Sequence, residues 1–405
     1  MSTDSGETGI TKAAWRALAA ACVGYAVDGF DLLVLGFMLE PIATSLGVDR
    51  VVAAALVTWT LIGAVGGGML FGLLGDRFGR VRALSWSIIV FAVFTGLCAF
   101  ARDYRELALY RALAGLGLGG EFGLGMALVA ETWPPAWRAR ACSYVGVGWQ
   151  FGVLGAAFLA PVLLPHIGWR GVFLLGAVPA IFAFRVRRAL PEPQIFHNAS
   201  SGGSPVETLA ALVASGERIR STVGMAILCT VQNFGYYGFM VWLPTHLSVD
   251  LGYTLSKSSI WIACTVVGMI AGALAFGAAA DRFGRRPTFL FYQASAGMAL
   301  LFYASLHDPL ALLFVGAIAG FFVNGMIGGY GALLAELYPT AARATAENLL
   351  FNLGRGFGGF GPMIIGALAT QLSFEAALVF LASLYIIDML ATIFLIPEKR
   401  GAPLI

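Results

Sequence analysis

The hexapeptide Gly-Asp-Arg-Phe-Gly-Arg at 75–80 returns as Ala-Asp-Arg-Phe-Gly-Arg at 280–285, and each copy closes a long apolar run. Asp76 and Asp281 lie 205 positions apart, about half of the 405-residue chain. The same offset carries Glu131 to Glu336, Pro134 to Pro339 and Arg138 to Arg343. Landmarks matched at one spacing imply two structural copies of a single unit, and the apolar runs make it a membrane unit.

Composition leads to the same place. Hydrophobic residues make up 59% of the chain and charged residues 12%, whereas soluble domains carry roughly 25% charged residues. A spanning helix takes about 20 mostly apolar residues. Runs of that kind fall at 15–39, 51–75, 83–101, 106–131, 137–163 and 168–186, then at 219–245, 256–280, 288–306, 309–334, 343–368 and 374–396. The expected fold is an all-α membrane protein with twelve transmembrane helices in two pseudo-symmetric six-helix bundles. The first bundle is expected over 15–187 after a tail at 1–14, the second over 218–396 before a tail at 397–405. Residues 188–217 join them, and Pro191, Pro193 and a Ser-Gly-Gly-Ser run mark an exposed linker. Within it, Ser204-Pro205-Val206-Glu207 has the form of a capping box opening a short helix. No stretch remains for a soluble catalytic domain, so an enzyme is not expected.

Residues 1–11 are polar and include Asp4 and Glu7, so the first helix reads as a permanent span rather than a cleavable signal. Cys22, Cys98, Cys142, Cys229 and Cys264 all fall within or at the ends of apolar runs, which argues against a disulfide framework. His166, His197, His246 and His307 show no ligand spacing, so neither a metal nor another cofactor is expected. Of the 25 Lys and Arg residues, 18 gather at one end of the expected spans and 5 at the other. The crowded end reads as cytoplasmic, with both termini inside. The glycosylation-like tripeptide Asn198-Ala199-Ser200 then lies on the wrong side to be used. The net charge of +3 reflects topology, and nucleic acid is not an expected partner.

Two cations remain inside the spans: Arg111 in the fourth helix and Arg355 in the eleventh. A charge at the centre of a membrane helix costs about 2.5–3.5 kcal/mol on insertion scales, so each needs an acid or a wet cavity. Asp28, Asp31, Glu121 and Asp388 are the acids expected within spans, and Asp28 and Asp31 share one face of the first helix. The repeat offset maps Arg355 onto Gln150 and Asp28 onto Asn233, so the paired positions have diverged between neutral and charged. Gly115-x-Gly117-x-x-Gly120 and Gly354-x-Gly356-x-x-Gly359 fit the dinucleotide pattern, yet neither follows a strand, and helix packing explains them better. No Gly-x-x-x-x-Gly-Lys-Ser/Thr phosphate loop is present, so a gradient rather than ATP is the expected driving force.

Gly72-Leu73-Leu74-Gly75-Asp76-Arg77-Phe78-Gly79-Arg80-Val81-Arg82 resembles the loop motif between helices two and three of the major facilitator superfamily, and the second copy runs from Gly277 to Arg286. Arg111 followed by Gly115 and Gly117 is similar to that superfamily's fourth-helix motif. Asp28-Gly29-Phe30-Asp31 resembles the first-helix motif of the aromatic-acid/proton symporters and of the sialate and short-carboxylate symporters. Gly119-Gly120-Glu121, Ala130-Glu131-Thr132-Trp133-Pro134 and the glycine-rich run from Asn352 to Pro362 look closer to the sialate and carboxylate group. The resemblance covers nearly the whole chain. It implies two bundles rocking about a midplane site in a bacterial inner membrane. A small organic anion and a proton are the implied partners, beside the lipid bilayer, and a monomer is sufficient.

Specific roles follow as expectations. Asp76 is expected to reach the start of the eleventh helix, and Asp281 the start of the fifth, where unpaired N–H groups favour an anion. With Arg80, Arg285, Glu131, Glu336, Arg138 and Arg343 they form an expected gate. Arg355 is expected to bind a substrate carboxylate through its bidentate fork, with permanent pairing to an acid as the other reading. Arg111 is expected to pair with an acid, with direct binding left open. Asp28, Asp31 and Glu121 are the proton-coupling candidates, because two carboxylates on one poorly solvated face cannot both ionise cheaply. The competing reading has Asp31 or Glu121 bridging to Arg111. Tyr25, Gln150, Gln232, Asn233, Tyr236 and Asn352 complete the expected substrate-binding set, with Trp149, Tyr237 and Asn348 nearby. With Asp28, Asp31, Glu121, Arg111 and Arg355 ionised the cavity carries −1, and a proton entering with a monoanion preserves that charge. Proton-coupled symport of a mono-carboxylate, aromatic acid or sialic-acid-like anion is the expected function. A sugar or polyol carrier would leave two buried arginines surplus. A drug/proton antiporter, a proton-coupled exporter resembling this superfamily, would usually carry Gly-Pro in the fifth helix, where Gly146 to Ala156 has no proline.

Overall fold

The computed structural model describes residues 9–188, 190–198, 204–245, 255–306, 308–402 and 404. His246, His307 and the Ala199-Ser200 part of the glycosylation-like tripeptide lie outside the described residues. In chain order the described α-helices are α1 (Lys12–Leu46), α2 (Arg50–Phe78), α3 (Arg80–Cys98), α4 (Tyr104–Leu118), α5 (Glu121–Thr132), α6 (Arg138–Arg188), α7 (Gln194–Asn198) and α8 (Pro205–Ala211). They continue as α9 (Gly216–Thr245), α10 (Leu255–Phe283), α11 (Arg285–Ala304), α12 (Pro309–Val323), α13 (Ile327–Leu337), α14 (Thr340–Gly358), α15 (Gly361–Gln371) and α16 (Phe374–Leu395).

These helices make twelve spans. Seven are single helices, and three are broken pairs: α4 with α5, α12 with α13, and α14 with α15. The remaining two are the halves of α6, which turns at Gly168 with φ 62° and ψ 176°. Among the described residues, eight helical stretches are long and apolar enough to cross a membrane, and Pro135–Val178 among them contains that turn. α9, α11 and α14 fall short because they carry Gln232, Asn233, Arg285, Gln293, Arg343, Glu347 and Arg355, all buried. Their polar residues face protein, not lipid. The chain is an integral membrane protein, and outward residues such as Phe100, Phe158, Phe314 and Phe394 are more than half exposed on its apolar surface.

The broken spans are the feature that hydropathy leaves out. The fourth span breaks at Gly119-Gly120 and the tenth at Asn324-Gly325-Met326, positions related by the same 205-residue offset. A break frees backbone carbonyls that need new donors. At the first of these, the Asn352 side chain from α14 donates to the Gly119 carbonyl at 2.8 Å. The eleventh span breaks at Gly359-Phe360, whereas α6 runs unbroken through the equivalent Leu154-Gly155.

Inside each half, small residues bring backbones together, as expected where lipid supplies no hydrophobic drive between helices. A Cβ added to Gly63 or Gly67 of α2 would lie 1.9 Å from the Ala112 or Leu116 carbonyl oxygen. Their counterparts Gly268 and Gly272 of α10 would meet the Ala317 and Phe321 carbonyls at 2.0 Å. Between the halves, α2 packs along α14 and α10 along α6. The linker forms α7 and α8, and the Ser204–Glu207 capping box opens α8.

Gly67→Leu is expected to destabilise the protein by about 1–3 kcal/mol through overpacking. Thermal unfolding in detergent measures this against Gly36→Leu, where nothing lies within 4 Å of the added Cβ. Gly36→Leu is expected to leave the midpoint unchanged.

Candidate functional site

Two turns at one end of the bundle, between α2 and α3 and between α10 and α11, carry the repeated motif. Each turns through a glycine on the positive-φ side, Gly79 at 111° and Gly284 at 110°, a backbone that other residues rarely adopt. The turn aims Asp76 at the N-terminal part of α14, where the Ala344 and Thr345 N–H groups donate to it at 3.0 and 2.8 Å. Asp281 repeats this on α6, accepting from Ala139 and Arg140 at 3.0 Å each. Free N–H groups and the helix dipole both favour an anion there.

The arginines tie this layer together. Arg80 forks onto Glu131 at 2.9–3.2 Å, donates to the Gly75 and Thr340 carbonyls, and sits 3.2 Å from Asp76. Arg285 forks onto Glu336 at 2.8 and 3.1 Å and pairs with Asp281 at 2.8 Å. Arg343 crosses from the second half to Glu131 at 2.7 Å, and Arg138 crosses from the first half to Glu336 at 2.8 Å. Each glutamate thus holds one arginine from its own half and one from the other. All of these side chains are sealed from solvent.

Two further carboxylates belong to this clasp. Glu192 accepts from the Val81 and Arg82 N–H groups at the start of α3, and Glu398 accepts from Arg285 and Arg286 at the start of α11. Neither was expected from sequence. Both follow the sixth span of their half beside a proline, but at an offset of 206, one step off the repeat.

The midplane site is built from α1, α6, α9 and α14. Arg355 makes a bidentate pair with Asp28, at 3.0 and 3.1 Å, and donates to the Tyr237 hydroxyl at 3.2 Å. Its guanidinium lies 4.8 Å from the centroid of the Trp149 ring. Trp149 in turn donates to Tyr236 at 3.2 Å and packs against Tyr25. Gln232 donates to Asn324 at 2.9 Å, and Asn233 donates to the Cys229 carbonyl at 2.8 Å. Tyr25, Trp149, Gln232, Asn233, Tyr236, Tyr237, Phe351 and Arg355 border a cavity of about 20 Å³. That is room for roughly one water, not for an organic acid.

The second buried cation stands apart. Arg111 pairs with Asp31 at 2.6 and 3.0 Å and donates to Thr60, entirely within the first half. The two carboxylates share a face of α1, but each meets its own guanidinium, Arg355 for Asp28 and Arg111 for Asp31. Glu121, at the start of α5, accepts from the Ser87 hydroxyl at 2.8 Å.

A sequence profile of the Major Facilitator Superfamily matches residues 21–267 and 225–404. The chain belongs to the major facilitator superfamily. It is 55% identical over 397 residues to the Haemophilus influenzae "Putative metabolite transport protein", covering 96% of this chain and 98% of that one. It is 30% identical to the cis,cis-muconate transport protein of Acinetobacter baylyi over 396 residues, 96% of each chain. The solved structure of the proton:xylose symporter XylE bound to 6-bromo-6-deoxy-D-glucose shares the fold at a TM-score of 0.80, with 18% identity and 96% and 97% coverage. This superfamily member is a membrane transporter.

Three residues of the expected substrate-binding set, Arg111, Asn352 and Gln150, lie outside the cavity. Asn352 spends its amide on the Gly119 and Asn348 carbonyls, holding α14 against the broken fourth span. Gln150 is buried, and neither its amide nitrogen nor its oxygen has a hydrogen-bond partner. Asn348 accepts from the Gly123 N–H at 2.9 Å, again between the halves. One acid within a span was missed altogether. Glu347 of α14 is fully buried, although it lies within the expected eleventh span at 343–368.

Arg111→Leu is expected to destabilise the protein by about 3–5 kcal/mol, because it strands the Asp31 carboxylate in a dry site. The double variant Asp31→Leu/Arg111→Leu is expected to recover most of that loss. Thermal unfolding of the two purified variants checks this.

Proposed function

We propose that this transporter is a proton-coupled symporter that takes up a small organic anion by alternating access across a bacterial inner membrane, with both termini cytoplasmic. The carrying observation is the buried bidentate pair between Arg355 and Asp28, one residue from each half, at the edge of the midplane cavity. A proton on Asp28 removes the charge that holds Arg355, and the freed fork then has the right geometry for an incoming carboxylate. The pair starts neutral, and a proton plus a monoanion leaves it neutral. Neither ligand enters cheaply without the other, because a lone charge in a poorly solvated site is costly. That is the physical content of coupling.

The surroundings favour a flat, partly apolar acid. Tyr25, Trp149, Tyr236, Tyr237 and Phe351 stand around the guanidinium, and Gln232 and Asn233 add amides for a further polar group. A relative at 30% identity is named for a carboxylate, cis,cis-muconate. The small present cavity supports a cycle in which substrate room opens when the Asp28–Arg355 pair parts. Asp31 and Glu121 are secondary proton candidates, held by Arg111 and Ser87. The clasp at the motif end is the proposed cytoplasmic gate, with Asp76 and Asp281 as its reversible contacts. A monomer contains every residue this cycle uses.

Uptake of labelled organic acids into proteoliposomes, with and without an inward proton gradient, tests the reading. Accumulation above equilibrium is expected for at least one aromatic or short-chain carboxylate. Arg355→Lys is expected to cut uptake by at least about tenfold, in line with losing a bidentate charged contact. Asp28→Asn is expected to abolish gradient-driven accumulation while sparing substrate exchange. Full accumulation by that variant would remove Asp28 from the mechanism, and transport of neutral sugars alone would replace the anion reading.

A further inference from the structure

Glu347 is a carboxylate that neither the clasp nor the midplane pair uses. It lies between them on α14, one turn inward from Ala344 and Thr345, which hold Asp76. One turn further on, Phe351 borders the cavity and stacks on Phe122 of the other half, with centroids 3.5 Å apart and planes at 13°. Glu347 is therefore shut off from the midplane by an aromatic pair and from the motif end by the clasp. It is 0% exposed, and neither carboxylate oxygen has a hydrogen-bond partner.

The charges that act on it most strongly are matched in number. They are Arg343 on its own helix, Asp76 from α2, Arg80 from α3 and Glu131 from α5, two cations and two anions. Arg343 directs its donors away, to Glu131, the Thr340 hydroxyl and the Ala335 and Tyr338 carbonyls. α6 contributes the Cys142 thiol, α9 brings Cys229 against Gly354 two turns along, and Glu336 of α13 is held by Arg138 and Arg285. The repeat supplies a comparison. The 205-residue offset maps Glu347 onto Cys142, which lies near Glu347 itself and near Arg138, Arg285 and Asp281. The second copy of the clasp is thus built around an uncharged side chain at this position.

We propose that Glu347 is a proton-binding site, distinct from the midplane acids, whose occupancy holds the motif end of the transporter shut. The proposal rests on the reading of the clasp as a reversible gate. In the closed form a dry carboxylate with no donor and no surplus cation carries a proton instead of a charge. When α14 parts from α2 and α5, water reaches the group and the proton leaves to the same side. The proton is not carried across, because the Phe122–Phe351 stack separates Glu347 from the cavity. The closed form holds one more proton than the open form, so acid favours closure and alkali favours opening. One proton limits the response to about tenfold in the opening equilibrium per pH unit.

Arg77 and Arg282 are exposed, equivalent positions on α2 and α10 at the motif end. Spin labels on Arg77→Cys/Arg282→Cys, with Cys22 and Cys264 replaced by Ala, report the gap between halves by pulsed dipolar spectroscopy in lipid nanodiscs. Between about pH 5 and about pH 8.5, the long-distance population is expected to grow with pH. Glu347→Gln, an uncharged isostere, and Glu347→Cys, the residue of the other repeat, are expected to hold the short distance throughout. A Glu347→Gln protein that follows the unmodified protein's pH response overturns the proposal. So does a pH-independent distance when Asp76→Asn in the same reporter lengthens it. If Asp76→Asn also leaves the distance fixed, the gate reading fails, and the proposal falls with it.

Discussion

A charge buried in a membrane protein has to be answered by another group of the protein, and most of this chain's architecture follows from that requirement. Lipid offers no counterion and little water, so an ionised side chain inside the bundle persists only beside a partner in good geometry. The described buried arginines Arg80, Arg111, Arg138, Arg285, Arg343 and Arg355 each meet a carboxylate. Where the partner sits decides what the pair can do. Arg111 and Asp31 belong to one half and brace it. Arg355 and Asp28 belong to opposite halves, so any ligand that competes for either one also changes how the halves are held.

Much of this was legible because the sequence repeats itself. The 205-residue offset placed both motif turns, both glutamates and both arginines at helix starts before any geometry was available. Subtracting surface cations left Arg111 and Arg355 as the residues needing an account. The offset reads only what both halves keep. Glu192 and Glu398 escaped it because their spacing differs by one residue, although they cap equivalent helices. Glu347 escaped because its counterpart is Cys142, and because helical position alone does not say whether an acid near a span end faces water. The partner of each arginine was also beyond the sequence. Two acids three residues apart point roughly the same way, yet Asp28 meets α14 and Asp31 meets α4.

The breaks at Gly119-Gly120 and at Gly359-Phe360 connect fold to site in a second way. Each interrupts a span near the cavity, where straight helices would leave carbonyls paired with their own chain. At the first break the freed carbonyl is met by Asn352 of the other half. A residue expected to touch substrate thus serves as a backbone partner, and the amide links α14 to the start of α5, where Glu121 lies. Movement of α14 is therefore felt at both Arg355 and the fourth span.

The sharing of Glu131 and Glu336 has a consequence for reversibility. Each glutamate is bound by a local arginine and by a visiting one. When the halves separate, as the proposed cycle requires, Arg80 stays on Glu131 and Arg285 stays on Glu336. Arg138 and Arg343 lose these glutamates, and each stands near the beginning of a helix at the side that is becoming wet. Separation thus strands no anion in a dry interior, and the groups it releases are the ones water accepts most readily. The lock can open again and again because each half carries away its own half of the key.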